Sequence, residues 1–147
     1  MKLDPDCVRD LMLFCEDNTY IKTEEVGNYT CASYHVLYID SMRLVPPLNK
    51  YDTGALIYHI IQLSESVYLA TDFHFDPITN FHHNSLPSIY YVTPKGHEFI
   101  AAIEGKTQWE KTSKLLRSFG SVSLTVIETI SKGIASAAIE QIIAPKA

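Results

Sequence analysis

The stretch DTGALIYHIIQLSESV, residues 52–67, predicts the helix around which the rest of the chain is organised. One apolar stripe at helical spacing runs through it: Leu56, Ile60, Leu63 and Val67. Asp52 is suited to cap this helix, because its carboxylate can accept hydrogen bonds from free amides of the first turn. Such a helix buries its stripe against partner elements and leaves its other face free for recognition.

The face opposite the stripe carries no positive charge. It presents Tyr58, Gln62 and Glu65. No lysine or arginine occurs from Tyr51 to Pro94, and the acids in that span are Asp52, Glu65, Asp72 and Asp76. DNA binding relies on cations placed against phosphates. We therefore expect the face of Tyr58, Gln62 and Glu65 to contact a protein rather than a nucleic acid.

The elements before and after this helix predict an α+β fold. Asp4 and Pro5 open a first helix over about 4–17. Strands are predicted over 67–73 and 88–93, joined by a polar segment that forms a wing. Further helices are predicted over about 94–104, 106–118 and 121–143. The order of elements indicates a winged-helix-like domain with a C-terminal helical extension.

Two regions add to the winged-helix-like domain: an insertion at residues 19–50 and an extension at residues 106–147. Residues 19–50 predict an enlarged hairpin insertion in a domain spanning 1–105, with a turn at Gly27 and a buried strand over Cys31–Ile39. The extension, residues 106–147, either packs on that domain or mediates self-association. Small residues at Gly133 and Ala137 would permit close approach of a second copy.

Composition and charge indicate a globular protein of a reducing compartment. The chain has 147 residues, a net charge of -5, 46% hydrophobic residues and 20% charged residues, as expected of a globular domain that does not bind nucleic acid non-specifically. Three cysteines without a C-x-x-C pair favour a reducing compartment, and hence the cytoplasm. The chain shows no signal peptide or membrane span, so we expect no membrane partner.

Few residues offer chemistry. The predicted wing contains possible metal ligands: His74, Asp76, His82 and His83. Their spacing matches no compact metal motif, and a solvated loop is the commoner explanation. His97 precedes Glu98, but neighbours on a helix point about 100° apart, so they form no dyad. We expect His97 to be satisfied between helix and sheet.

The sequence contains none of the nucleotide-binding or hydrolase motifs, namely G-x-G-x-x-G, a Walker loop or G-x-S-x-G. It therefore predicts no catalytic residue, no cofactor and no small-molecule substrate. A non-enzymatic protein is the expectation.

Four motifs in order carry a family resemblance. They are a helix from Tyr51 to His59, TPKGHEF at 93–99, Trp109, and GSVSLTVI at 120–127. The pattern resembles a family of small bacterial and phage-borne proteins of unknown function that are similar to winged-helix proteins. The resemblance implies a winged helix and a phage or mobile-element origin, and it brings no catalytic residues. Residues 19–50 are longer than the family pattern leads us to expect.

Two functions remain open. The preferred one is an adaptor or regulator that works through protein contact or self-association. The alternative is a DNA-binding transcriptional regulator that uses a non-standard basic surface, with Lys111, Lys114 and Arg117 on phosphates. The charge pattern disfavours the second.

Overall fold

The computed structural model describes residues 1–73, 75–76, 81–82 and 86–143, with backbone pairing alone for 75–76 and 81–82. The helices are α1 (Pro5–Asn18), α2 (Ile39–Met42), α3 (Thr53–Glu65), α4 (Pro94–Ile103), α5 (Lys106–Leu116) and α6 (Leu124–Ile143), with a 3-10 turn at Leu48–Lys50. The strands are β1 (Ile21–Val26), β2 (Tyr29–Tyr34), β3 (Leu37–Tyr38), β4 (Leu69–Thr71), β5 (Phe75–Asp76), β6 (Phe81–His82) and β7 (Ser88–Val92). The predicted α+β class is confirmed.

A small antiparallel sheet in the order β3-β7-β4 backs the helices. Leu37 pairs with Ile89 on one side of β7, and Leu69 pairs with Val92 on the other. The connection from β4 to β7 contains the short β5–β6 hairpin. One buried cluster joins this sheet to α1, α3, α4, α5 and the start of α6. Trp109, Leu116, Leu124 and Ile127 belong to that cluster.

Helix α3 forms as its sequence predicts, except at its end. The Asp52 carboxylate accepts from the Ala55 amide at 3.2 Å, and Leu56, Ile60 and Leu63 are buried. Val67, the predicted fourth member of the stripe, is instead 60% exposed, with φ 66°. The amide of Tyr68 bonds back to the Leu63 carbonyl, so Val67 occupies the left-handed position of a helix C-cap that usually holds glycine. That turn rotates Val67 out of the stripe.

A buried histidine ties α3 to the start of α1. His59 is 3% exposed. Its Nε2 accepts the Asp4 amide at 2.9 Å, and its Nδ1 lies 2.7 Å from the Ala55 carbonyl. The ring therefore donates from Nδ1 as the neutral imidazole. Since the Asp4 carboxylate also caps α1, one residue fixes the entry of α1 over α3.

The segment 19–50 forms the predicted hairpin, but not the predicted buried strand. β1 and β2 pair from Ile21 with Tyr34 to Val26 with Tyr29, and Gly27 supplies the left-handed turn residue with φ 63°. The strand expected over Cys31–Ile39 is wrong in extent and burial, because β2 ends at Tyr34, all of it is exposed, and Ile39 begins α2. Its tyrosine and threonine content is typical of a strand, but strand propensity does not imply burial.

Helix α6 docks by its first half. Leu124, Ile127 and Ser131 are buried. The Tyr68 hydroxyl donates to the Glu128 carboxylate, and Lys132 pairs with the same carboxylate at 2.7 Å. The second half of α6 leaves three isoleucines exposed, namely Ile139, Ile142 and Ile143. Self-association through Gly133 and Ala137 stays a prediction.

Tyr68 is the junction of β4, α4 and α6. Thr93, which caps α4, donates its hydroxyl to the carbonyls of Val67 and Tyr68. The Tyr68 ring packs on Phe99 with centroids 4.9 Å apart. A Cβ placed on Gly96 would overlap the Tyr68 carbonyl oxygen and lie 2.7 Å from Val92 Cγ1. Glycine in the TPKGHEF motif is therefore required for α4 to cross β4 this closely.

Gly96→Ala should lower the free energy of unfolding by about 2–3 kcal/mol, because the methyl group meets backbone that cannot move aside. Gly133→Ala is the matched control: its methyl group meets nothing within 4 Å, so a gain of about 0.5–1 kcal/mol is expected in mid-helix. Urea unfolding followed by circular dichroism measures both. Equal effects of the two substitutions would contradict the close crossing.

Glu128→Gln should weaken the docking of α6 in a pH-dependent way. Burial acts to raise the pKa of Glu128, but hydrogen bonds from Lys132 and Tyr68 outweigh it and hold that pKa below its ordinary value of 4.5. A depressed carboxyl pKa stabilises the fold above the unfolded-state pKa, and this stability is lost as pH falls through the folded-state value. The variant should lose about 1–2 kcal/mol at pH 7.

The difference between wild type and Glu128→Gln should shrink once the pH falls below about 4.5. Denaturant titrations at pH 7 and at acid pH measure it. Glu140→Gln, on the exposed end of the same helix, is the control and should change stability little at either pH. A loss of the same size at both pH values would show that the Glu128 charge contributes nothing to docking.

Candidate functional site

The predicted outer face of α3 is only partly available. Glu65 is exposed, but Tyr58 and Gln62 are half-buried. The Tyr58 ring meets its buried neighbour His59 edge-on, with centroids 5.3 Å apart. The three residues therefore lie on one helix face as expected, but they offer less free surface than the sequence indicated.

The alternative basic surface is exposed but mixed in charge. Lys111 and Lys114 on α5, and Arg117 directly after its last residue, are all exposed. Lys114 and Arg117 line one groove, which they share with the acids Asp6 and Glu110. Lys111 does not line it. The structure thus brings two of the three cations together, beside carboxylates that oppose phosphate binding.

The candidate metal ligands are not tested. His74 and His83 lie outside the described residues, and the side chains of Asp76 and His82 are also outside the described part. Where the structure does describe side chains, no three His, Cys, Asp or Glu residues cluster as metal ligands would. Two of the cysteines, Cys7 and Cys15, are buried, and burial raises the pKa of each to about 12, so neither supplies a thiolate nucleophile.

The β1–β2 hairpin projects from the body, and we call it the arm (residues 21–34). All six residues of each strand are exposed. Among them are four large apolar or aromatic side chains: Ile21, Val26, Tyr29 and Tyr34. Tyr29, at the tip, is 77% exposed. An isolated two-stranded hairpin is marginally stable in water, so the large exposed side chains make the arm an unusual feature of the surface.

Both edges of the arm carry free backbone groups. The Tyr20 carbonyl accepts the His35 amide at 2.9 Å. Because antiparallel pairs alternate, Thr30, Ala32 and Tyr34 then point their amides and carbonyls away from β1. No other strand of the described chain pairs with this edge. Natural proteins usually protect such edges with charge, yet β2, YTCASY, has none.

A recess lies at the base of the arm, where the arm meets the body. It has a volume of about 240 Å³ and opens between α1, β7, α4 and the arm. Its aromatic wall consists of Tyr20, Tyr34 and Tyr91. Tyr34 stacks on Tyr91 of β7 with centroids 5.0 Å apart, and Tyr20 stacks on His35 at 4.6 Å. The stack of Tyr34 on Tyr91 anchors the arm to the body, whereas Tyr20 and His35 are cross-strand neighbours whose stack closes the base of the arm.

The polar side of the recess consists of Glu16 and His97. Glu16 Oε2 lies 3.9 Å from His97 Nδ1, which is too long for a hydrogen bond, and that oxygen has no other hydrogen-bond partner in the described structure. The Glu16 side chain is 37% exposed and that of His97 58%. The expectation that His97 is satisfied between helix and sheet is wrong, because its side chain is more than half exposed, whereas α4 buries Gly96, Phe99 and Ile100.

Sequence reasoning missed both the arm as a surface and the recess. A tyrosine-rich strand is typical of sheet and core, and a strand pattern does not reveal which strands lack a covering layer. One signal was available. β1 alternates Lys22 and Glu24 with Ile21 and Thr23, which is typical of a strand exposed on at least one face.

Residues 2–123 match the family described as Hypothetical protein (DUF2513). The chain belongs to the DUF2513 family. The family membership expected from the motifs is thus confirmed at the level of a domain of unknown function, whereas a phage origin stays a prediction. The DUF2513 match includes the arm and every residue that lines the recess, and it ends just before α6.

No curated protein and no solved structure matches this DUF2513 chain. Within residues 1–143, as far as they are described, no helix has the length and apolar character needed to cross a membrane.

Tyr34→Ala should loosen the arm without unfolding the body. The stack on Tyr91 is worth about 0.5–1.5 kcal/mol, so amide hydrogen exchange at Cys31 and Ser33 should accelerate roughly threefold to tenfold. Exchange in β4 and β7 should stay within twofold, since those strands are held by the buried cluster. Nuclear magnetic resonance measures both regions.

The control for this prediction is Tyr38→Ala, which removes an exposed ring that makes no described ring contact. It should leave exchange in the arm unchanged. Equal acceleration in the arm and in the central sheet of Tyr34→Ala would mean that the stack supports the whole fold rather than anchoring the arm.

Proposed function

We propose that this protein is a non-enzymatic interaction module, built on a winged-helix scaffold, whose arm contacts a protein partner. The observation that carries the proposal is the arm itself: two strands, exposed along their whole length, with four large apolar or aromatic side chains and an uncharged free edge. A strand edge of this kind is the element that a partner strand can extend.

The order of elements supports the scaffold. α1 is followed by β3, α2, α3 and then two antiparallel strands, β4 and β7, whose connection contains the β5–β6 hairpin. That hairpin occupies the position of a wing. The third strand, β3, pairs with the far side of β7. The arm is then an insertion between the first helix and the first strand of the winged helix.

Charge supports a protein partner over DNA. In a DNA-binding winged helix the equivalent of α3 and the wing approach the phosphates. Here the span from Tyr51 to Pro94 has no lysine or arginine, and Glu65 is exposed on α3. Phosphate contacts are the main source of nucleic-acid affinity, so this face lacks the groups that such binding needs.

The arm is favoured over the outer face of α3 because of exposure. Tyr29, Tyr34 and Val26 present free apolar area, whereas Tyr58 and Gln62 are half-buried. Tyrosine combines apolar area, a hydrogen-bonding hydroxyl and few rotatable bonds, which makes it a frequent source of binding energy in interfaces.

An affinity capture with matched variants tests the proposal. The tagged full chain is incubated with lysate of the native host, with and without nuclease, and recovered proteins are quantified by mass spectrometry. The arm variant is Val26→Thr with Tyr29→Thr, which keeps strand propensity and removes apolar area. Recovery of a discrete, nuclease-resistant partner should fall at least about tenfold, as for loss of an interface hot spot.

Leu44→Ser is the matched control, since it removes an exposed apolar side chain outside the arm and should leave recovery unchanged. Loss of the partner in Gln62→Lys with Glu65→Lys, but not in the arm variant, would move the contact to α3. Recovery that is abolished by nuclease, and by Lys114→Glu with Arg117→Glu, would replace the proposal with DNA binding.

A further inference from the structure

The recess at the base of the arm has the composition of a site for a cationic side chain. Three tyrosines, Tyr20, Tyr34 and Tyr91, form its wall, and Glu16 supplies a carboxylate. The faces of aromatic rings carry negative potential and attract cations. None of the residues that line the recess is a lysine or an arginine, so the Glu16 carboxylate forms no ion pair with a lysine or an arginine of the lining.

The backbone adds to the negative potential. Glu16 and Asp17 stand in the last turn of α1, and no basic residue stands there. The C-terminus of a helix is the negative end of its dipole, where acids are unfavourable and cations favourable. Two acids at this end therefore break a local stability rule. Such violations are expected where a site is built for a ligand.

The Glu16 carboxylate also lacks a hydrogen-bond donor. Its Oε2 is shielded from solvent and has no hydrogen-bond partner in the described structure, and His97 Nδ1, at 3.9 Å, is the nearest cation-forming group. A carboxylate oxygen left without a donor is destabilising. Because Oε2 itself is shielded, a ligand with N–H donors and a positive charge would bond the exposed part of this carboxylate, whose side chain is 37% exposed.

We propose that the recess binds the guanidinium group of an arginine presented by the partner, an inference that rests on the proposed function. The arginine is favoured over lysine for two reasons. Its planar group stacks on a face of Tyr34 or Tyr91 that the mutual stack of these two rings leaves free, whereas an ammonium is a compact point charge. Its fork of N–H groups also fits a carboxylate such as Glu16. The arm then supplies the apolar contact, and the recess fixes which segment of the partner binds.

This site assigns a role to two features. His97, the histidine of the TPKGHEF motif, lies beside the Glu16 carboxylate in the lining of the recess. Tyr91 extends from the central sheet to hold Tyr34 of the arm, so the aromatic wall exists only while the arm is docked on the body.

A ligand titration on the isotope-labelled full chain tests the site without a known partner. N-acetyl-arginine amide should produce saturable shifts in the ring signals of Tyr34 and Tyr91 and in His97. N-acetyl-citrulline amide, which has a neutral group of nearly the same shape, should bind at least about fivefold more weakly. Citrulline binding as well as arginine, tighter binding of N-acetyl-lysine amide, or shifts that map elsewhere would each overturn the assignment.

Variants separate the carboxylate in the recess from general negative charge. Glu16→Gln should weaken arginine binding about tenfold, as expected for loss of a charge-assisted hydrogen bond. Glu98→Gln removes the same charge from an exposed position on α4, outside the lining of the recess, and should change affinity less than about twofold. Equal losses in both variants would show a diffuse field rather than a site.

The two proposals fail separately. If arginine binds at the recess but the arm variant captures the partner as well as the wild-type chain does, the arginine site is supported and the arm is not the contact surface. Capture that depends on the arm, with no arginine binding to the wild-type chain, would retain the proposed function and refute the arginine site.

Discussion

The close crossing of β4 and α4 at Tyr68 is the constraint on which the rest of the structure depends. The Tyr68 carbonyl faces both the Thr93 hydroxyl and the bare Cα of Gly96. Its ring lies against Phe99, and its hydroxyl holds Glu128 of α6. Burial and that bond to Glu128 raise the pKa of the Tyr68 hydroxyl, so it remains a donor at neutral pH. These contacts fix the positions of β4, α4 and α6 relative to one another, although the three elements are distant in sequence.

That crossing also determines where the candidate site can form. Thr93, which caps α4, follows β7 directly, and Tyr91 and His97 emerge on the same side of the body. The end of α1 supplies Glu16 to this side, and the arm, which begins three residues after α1 ends, is anchored there by Tyr34. A recess with an aromatic wall and a carboxylate follows from the way the buried core is packed, although the three tyrosines of that wall are exposed.

The parts of the fold that depend on local chemistry could be predicted from the sequence. Asp4, Asp52 and Pro94 mark helix starts because capping and the fixed φ of proline act within one turn. The apolar stripe of α3 marks its buried face for the same reason. Outcomes that depend on tertiary packing could not be predicted. His59 is buried, whereas His97 is exposed. Val67 does not belong to the buried stripe of α3, because the left-handed turn at the end of that helix points its side chain to solvent.

The exposure of the arm, and with it the recess, could not be predicted from the sequence for a further physical reason. Burial of a strand depends on whether another layer covers it, and β2 has the composition of a covered strand without the cover. The DUF2513 match covers residues 2–123, which include both the arm and the recess, and it ends just before α6. The exposed isoleucines at the end of α6 lie outside that match. The first half of α6 supports the body from behind Tyr68, because Glu128 accepts the hydrogen bond of the Tyr68 hydroxyl.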